Sequence, residues 1–89
     1  MSNSYLEVTF RRGRAIAAYL YLPRRANDRS FRTEKAGHGL VIDYNRSGKP
    51  IGIEITSPTT TSVIALNKVL RGLGMPPVKR SDLSPLSAA

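Results

Sequence analysis

Residues 39–56 read GLVIDYNRSGKPIGIEIT, and this stretch decides the fold. Two runs rich in aliphatic residues, Leu40–Tyr44 and Lys49–Ile55, flank the segment Asn45–Gly48. That segment begins with Asn and places Gly where a turn needs a left-handed residue. The stretch therefore predicts a β-hairpin, which is the strongest local signal in the chain.

The predicted register follows from the position of the turn. A turn centred between residues 46 and 47 pairs Ile42 with Ile51. It also pairs Leu40 with Ile53, so each face of the hairpin carries one type of residue. We therefore expect an aliphatic face toward the core and a polar face away from it.

The flanking sequence adds further strands and one helix. Alternation with period two predicts strands over residues 5–10 and 15–22, joined by a turn at residues 11–14, and residues 30–35 form a weaker candidate. In the second strand we expect four residues to face the core: Ile16, Ala18, Leu20 and Leu22. After residue 58, helical spacing predicts a helix near residues 60–72 whose apolar stripe is Val63, Ile64, Leu66, Val69, Leu70 and Leu73.

These elements predict one α+β domain: an antiparallel sheet of four or five strands in β-meander order, with the C-terminal helix packed on one face. The domain spans residues 1–75, and residues 76–89, rich in Ser, Pro and Ala, are expected to form a disordered tail. A chain of 89 residues has room for one such domain. The expected core is Leu20, Ile42, Ile51, Ile53, Leu66 and Leu70.

Composition narrows the function classes. The chain has 14 Lys and Arg against 6 Asp and Glu, a net charge of +8, which attracts polyanions or acidic protein surfaces. It has no cysteine, so disulfides and thiolate metal sites are excluded. No apolar stretch approaches the roughly 18 residues of a membrane span. We therefore expect a cytoplasmic protein that does not enter membranes.

The hairpin also resembles a known family, the small and mostly bacterial proteins catalogued as domain of unknown function 2283 (DUF2283). The shared pattern is an aliphatic strand ending in Asp and an aromatic residue, a turn with Gly, and then Gly-Ile-Glu-Ile. Weaker similarity extends over residues 5–57. The matching residues are Ile42, Asp43, Tyr44, Gly48, Ile51, Gly52, Ile53, Glu54 and Ile55.

The resemblance implies a small sheet-plus-helix fold and no established reaction. Some members lie beside toxin-like genes, which implies an antitoxin-like or other partner-binding role. This chain departs from the family pattern at Asn45, where Asp is usual. It departs again at Arg11, Arg12 and Arg14, which replace an acidic turn. Roles that rest on family acids at these positions do not carry over.

Asp43 and Glu54 are the candidate acid–base pair, because both point to the face away from the core. The predicted register places Glu54 opposite Gly39, which is four residues from Asp43 and so about 13 Å away. Carboxylate pairs in glycosidases lie within about 10 Å. We therefore expect no catalytic residues, and structural roles for the family-motif residues Asp43, Gly48, Gly52 and Glu54.

His38 is the single histidine of the chain and precedes a predicted strand. No motif places a nucleophile near it, and one histidine with scattered acids makes a weak metal site. We expect an exposed loop histidine, no metal, no cofactor and no enzymatic activity.

Arg11, Arg12 and Arg14 crown a hairpin whose outer face carries Tyr19 and Tyr21. Cations beside stacking surfaces suit nucleic acid, but runs of charge are also often only solvated. The small or apolar residues of the same face suit sheet-to-sheet dimerisation. Three interpretations stay open here: a solvated surface, a protein interface and a nucleic-acid site.

The sequence therefore predicts a small binding protein that forms a homodimer or binds a small protein partner. The alternative is a basic nucleic-acid-binding module that uses the N-terminal arginine hairpin.

Overall fold

The computed structural model describes residues 4–87. Residues 1–3 and 88–89, the outer ends of the predicted domain and of the predicted tail, lie outside the described residues. The strands are β1 (Tyr5–Arg11), β2 (Arg14–Tyr21), β3 (Arg32–Gly37), β4 (Leu40–Tyr44) and β5 (Pro50–Ile55). The helix α1 spans Val63–Gly72, and two 3₁₀ helices span Pro58–Thr60 and Arg80–Ser87.

The strands form one antiparallel sheet in the order β1-β2-β5-β4-β3, so the fold is α+β but the predicted meander order is wrong. A meander would place β3 beside β2. Instead β3 lies at an edge, and β5 lies between β2 and β4. The strand sequences explain this order, because Ile51, Ile53 and Ile55 of β5 are fully buried whereas β3 is exposed at all but one residue. A central strand has a neighbouring strand on each side, whereas an edge strand has one side open to solvent. The aliphatic strand β5 therefore lies at the centre and the polar strand β3 at the edge.

β4 and β5 form the predicted hairpin, but the register differs by two residues. Ile42 pairs with Ile53, not with Ile51, and Leu40 pairs with Ile55. A shift of two residues keeps every side chain on its expected face, because side chains alternate with period two. The aliphatic face is therefore retained although the predicted pairs were wrong.

The turn between β4 and β5 sets the observed register. Asn45 accepts three hydrogen bonds at Oδ1, from the backbone N–H and the hydroxyl of Ser47 (both 3.0 Å) and from the backbone N–H of Lys49 (2.9 Å). Gly48 has φ of +86°, in the left-handed region that favours glycine. These contacts hold a turn that is one residue longer than the predicted segment Asn45–Gly48, because β5 begins only at Pro50.

A bulge in the β1–β2 hairpin corrects a further expectation. Thr9 pairs with Ala17, whereas Phe10 pairs with Ala15, so Ile16 is the additional residue of the bulge. Ile16 is 47% exposed and does not face the core as predicted, while Ala15 is buried in its place. The other three residues expected on this face are buried: Ala18, Leu20 and Leu22.

The helix α1 begins after Ser62, whose hydroxyl accepts a hydrogen bond from a backbone N–H of the first turn. It ends in a Schellman motif with Gly74 at φ +72°. Leu66 and Leu70 are buried as predicted, but Ile64 is 78% exposed and lies outside the apolar stripe.

The chain after α1 is ordered through residue 87, which differs from the disordered tail expected over residues 76–89. The Asn67 side chain donates to the carbonyl of Val78 (3.0 Å) and accepts from its N–H (2.8 Å), which holds the chain beside the helix. The second 3₁₀ helix then places Leu83 and Leu86 in the core. Residues three apart lie on one side of a 3₁₀ helix, so two leucines order a segment whose composition predicted disorder.

The core lies between the sheet and these helices. All six residues predicted for it are buried, and the described residues include no buried charged side chain. Six further buried residues belong to the core cluster: Ala18, Leu22, Leu40, Ile55, Leu83 and Leu86.

None of the helices in residues 4–87 has both the length and the hydropathy to cross a membrane.

Candidate functional site

Tyr19 lies across Gly52 on the sheet face away from α1. A Cβ built on Gly52 would fall on the ring and hydroxyl atoms of Tyr19. The Tyr19 hydroxyl passes over the glycine and donates to Asp43 Oδ2 at 2.7 Å. Gly52 therefore makes room for a side chain of β2. The three residues connect β2, β5 and β4.

Burial raises the pKa of Tyr19 above its usual value, and the hydrogen bond to Asp43 adds to the rise. Both effects favour the protonated hydroxyl, because the tyrosinate would be poorly hydrated and would face a carboxylate. Tyr19 therefore stays a hydrogen-bond donor at neutral pH.

The observed register corrects the predicted distance between Asp43 and Glu54. Glu54 lies opposite Val41 rather than opposite Gly39. It is therefore two residues from Asp43, about 7 Å along the strands instead of about 13 Å. Asp43 has a structural contact in Tyr19, and Glu54 is exposed on an open sheet face. The predicted separation of about 13 Å is therefore no longer an argument for structural roles. The hydrogen bond from Tyr19 is direct evidence of a structural role for Asp43.

His38 is exposed in the turn between β3 and β4, with φ of +54°. Within residues 4–87, no group of three or more His, Asp or Glu side chains is placed to hold a metal ion.

Two further tyrosines extend the aromatic row across the outer face. Tyr21 stacks on Tyr5 with ring centroids 4.4 Å apart, and meets Tyr19 edge-on at 4.7 Å. The Tyr21 hydroxyl donates to Glu7 Oε1 at 3.2 Å. The outer face is thus covered in part by its own rings, and two of their hydroxyls have carboxylate partners. It is less apolar than the sequence suggested.

The arginine turn lies far from these tyrosines. Arg12 and Gly13 form its centre, both with positive φ (52° and 77°), as a type I′ hairpin turn requires. Tyr19 and Tyr21 follow Arg14 by five and seven residues along β2, which is about 16 and 23 Å. The structure does not combine the predicted cations with the predicted stacking surfaces.

A different basic surface forms at the opposite end of the sheet. Residues 23–32, between β2 and β3, meet residues 44–50, between β4 and β5, and we call these two segments the loop-end surface. They carry six cations and one carboxylate, Asp28. The cations are exposed except for the half-buried Arg24. They are Arg24, Arg25, Arg29, Arg32, Arg46 and Lys49.

Aromatic rings alternate with these cations. In each pair the guanidinium carbon lies above a ring, a geometry that attracts a cation to the ring face. Phe31 is 59% exposed although it is fully apolar. The pairs are Arg32 over Tyr44 at 4.2 Å, Arg46 over Phe31 at 4.7 Å and Arg24 over Tyr21 at 5.6 Å.

Asp28 holds the two segments together. Its carboxylate accepts from Asn45 Nδ2 (3.2 Å) and from the N–H of Arg25 (3.0 Å), and the Arg24 guanidinium donates to its carbonyl (2.8 Å). The hydrogen bond from the Arg25 N–H, followed by that from Asn45, lowers the pKa of Asp28. The result is an open groove of about 550 Å³, lined by residues 27–31 and 45–47.

Five of the six acids of the chain accept hydrogen bonds from neutral donors. Three of these carboxylates accept from tyrosine hydroxyls and two from amide groups, so none of these hydrogen bonds comes from a Lys or Arg side chain. The 14 cations outnumber the 6 carboxylates, and the resulting net charge of +8 attracts anions. The pairs are Glu7 with Tyr21, Glu34 with Tyr44, Asp43 with Tyr19, Asp28 with Asn45 and the Arg25 N–H, and Asp82 with the Lys79 N–H.

Residues 17–57 match the family model described as Protein of unknown function (DUF2283). This segment, less than half of the chain, is similar to that family. The resemblance in the hairpin is thereby confirmed. The matched segment runs from β2 to β5 and contains Tyr19, Asp43, Gly52 and the whole loop-end surface, whereas the arginine turn and α1 lie outside it. No curated protein and no solved structure matches this chain.

Sequence reasoning missed the loop-end surface. The segment from Arg24 to Arg32 is visibly basic and contains Phe31, which is a usable signal. Arg46 is fourteen residues beyond Arg32 in the chain, and only the pairing of β3 with β4 brings it to Phe31.

Proposed function

We propose that this protein is a binding module for a polyanion and that the loop-end surface is its contact site. The supporting observation is the charge of that surface, with six cations against one carboxylate that is already hydrogen-bonded. The proposal moves the nucleic-acid alternative from the N-terminal arginine hairpin to the other end of the sheet.

The exposure of the cations favours the loop-end surface as the binding site. Five of its six cations are exposed, so a ligand reaches them without displacing packed side chains. Each phosphate or sulfate that pairs with a cation releases a counterion, so affinity falls steeply with salt. The aromatic partners hold several guanidinium groups in place, which lowers the entropy lost on binding.

Two triple variants of equal charge test the proposal. Arg25, Arg29 and Arg46 are changed to Ala in one, and the three arginines of the N-terminal turn are changed to Ala in the other. Arg24 is left unchanged because it donates to backbone carbonyls of Asp28 and Ile51. Binding of labelled heparin is then titrated at several salt concentrations.

The loop-end variant is expected to lose affinity by about tenfold or more. Its salt slope is expected to fall by about one for each arginine that pairs with a sulfate in the unmodified protein. The turn variant has the same net charge and is expected to lose less affinity. Equal losses, or no binding by the unmodified protein at about 0.15 M salt, would refute the proposal.

Self-association is a second candidate, supported by the exposure of two apolar residues at one hairpin. Phe10 and Ile16 are each 47% exposed at the end of the edge strand β1 and its neighbour. Apolar groups on a sheet edge favour pairing with a second copy. Light scattering at high protein concentration is expected to show a dimer, and changing Phe10 and Ile16 to Ser is expected to abolish it. A monomer at all concentrations would remove this candidate.

A further inference from the structure

We infer that the ligand of the loop-end surface is a single-stranded nucleic acid and that Phe31 and Arg46 form the place where an unpaired base stacks. This inference rests on the proposed polyanion-binding function and names the class of polyanion. Three features support it: the exposure of Phe31, the way the ring is held, and the groove beside it.

Phe31 is exposed but firmly anchored. Its side chain is 59% exposed, so the core does not account for it. Its backbone N–H donates to the carbonyl of Tyr44 at 2.8 Å, which continues the β3–β4 pairing by one residue. A ring on a paired strand keeps its orientation better than a ring on a free loop. Phe31 is therefore a prearranged stacking surface.

Arg46 approaches the same ring from the other segment of the surface. Its guanidinium carbon lies 4.7 Å from the ring centroid. The turn that carries Arg46 is held by the three hydrogen bonds to Asn45 Oδ1. The guanidinium lies over one face of the ring, so the planes left for stacking are the other ring face and the outer guanidinium face, and the guanidinium adds a charge for a phosphate. The pair therefore suits one nucleotide, with its base on a stacking plane and its phosphate on the guanidinium charge.

The groove beside this pair has the size and groups for one unit of a strand. Its volume of about 550 Å³ falls in the range of small-ligand sites, about 300–1,000 Å³. Among its lining residues, Ser30 offers a hydroxyl and Asn27 an amide for base edges, and the Ser47 hydroxyl, which donates to Asn45, can still accept. Arg29 adds a cation for a phosphate.

The aromatic ring discriminates among polyanions. In a duplex the base faces are covered by their neighbours, and a sulfated sugar chain or polyphosphate has no aromatic face. Only a ligand with unpaired bases therefore gains from Phe31, because base–aromatic stacking needs an open π surface. Clustered cations alone would bind all of these ligands.

Conservative variants separate stacking from charge. Phe31→Leu removes the ring, Phe31→Tyr keeps it, and Arg46→Lys keeps the charge but removes the planar group. Phe10→Leu is the matched control, since Phe10 is similarly exposed at the far end of the sheet. Each variant is titrated with a labelled single-stranded oligonucleotide as DNA and as RNA, with the duplex of the same sequence, with heparin and with a poly-glutamate peptide. Thermal unfolding of each variant confirms that it is folded.

We expect Phe31→Leu to weaken single-strand binding by roughly 5- to 100-fold, the effect of losing one stacked base. Heparin binding is expected to weaken far less, because the ring acts there only by holding Arg46. Arg46→Lys is expected to act in the same direction, while Phe31→Tyr and Phe10→Leu keep the original affinity. Equal losses for heparin and the single strand, or tighter binding of the duplex, would overturn the stacking inference and leave polyanion binding standing.

Tighter binding of poly-glutamate than of the single strand would point to an acidic protein partner and would also overturn the inference. If heparin, the single-stranded oligonucleotides and the duplex all fail to bind, polyanion binding itself is refuted.

Discussion

Changing Gly52 to Ala perturbs the contact between Tyr19 and Asp43 without touching either residue. The Cβ of the new alanine would occupy the position of the Tyr19 ring. The ring is half-buried and anchored at its hydroxyl, so it must rotate away from the sheet. The variant therefore loses the hydrogen bond to Asp43 and the packing of the ring on β5.

The expected cost follows from these two losses. A hydrogen bond to a charged group contributes about 1.5–3 kcal/mol, and the lower half applies because water can reach the half-buried Asp43. Displacing a packed ring costs about 1 kcal/mol more. Alanine restricts the unfolded chain and returns about 0.5 kcal/mol. We expect a net loss of about 2–3 kcal/mol, which lowers the Tm of a domain of this size by about 10–20 °C.

A double-mutant cycle with Tyr19→Ala checks the cause. Chemical denaturation gives the free energy of unfolding of the four proteins. Without the Tyr19 side chain, the three nearest atoms that a Cβ at position 52 would meet are gone, so Gly52→Ala is expected to be neutral or stabilising by about 0.5 kcal/mol. The coupling between the two changes is then about 2–3.5 kcal/mol.

Gly72→Ala is the control for a glycine replacement as such. A Cβ at Gly72 has no atom within 4 Å, so this change is expected to stabilise α1 by up to about 1 kcal/mol. If Gly52→Ala has the same effect with and without Tyr19, the ring is not what excludes a side chain, and the reasoning is wrong.

Two further predictions concern the tail and the tyrosines. Leu86→Ala is expected to destabilise the protein by about 2–4 kcal/mol in denaturation, because Leu86 is 3% exposed in the core; no measurable change would mean that the tail is not packed there. The raised pKa of Tyr19 means that the folded state holds this proton more tightly than the unfolded chain, whose tyrosines titrate near pH 10. Its contribution to stability is therefore complete below about pH 10 and is lost as the pH rises further, so Tyr19→Phe is expected to flatten the alkaline decline; parallel declines would contradict this.

Local pattern in the sequence was enough for several features. Alternating aliphatic residues predicted β4 and β5, helical spacing predicted α1, and all six residues expected in the core are buried. These signals work because the period of a strand or helix places side chains on one face whatever the rest of the fold does. The similarity to DUF2283 was visible for the same reason, since its pattern lies within one hairpin.

Features that depend on competition between segments were not predicted. The strand order follows from β5 being more apolar than β3. The two strands must be compared with each other to see this, so neither segment reveals the order by itself. The register of the hairpin depends on three hydrogen bonds to Asn45. The turn sequence is compatible with these hydrogen bonds but does not require them. The order of the tail depends on Asn67, which precedes Val78 by eleven residues.

The candidate site belongs wholly to the second group. Nothing near Gly52 in the sequence reveals why it is glycine, because Tyr19 is 33 residues away and reaches it only through the pairing of β2 with β5. Phe31 and Arg46 likewise come together only when β3 pairs with β4. The sequence alone determined which residues are apolar, charged or turn-forming. The tertiary structure decided which of them meet, because burial of β5 at the centre of the sheet sets the position of every other strand.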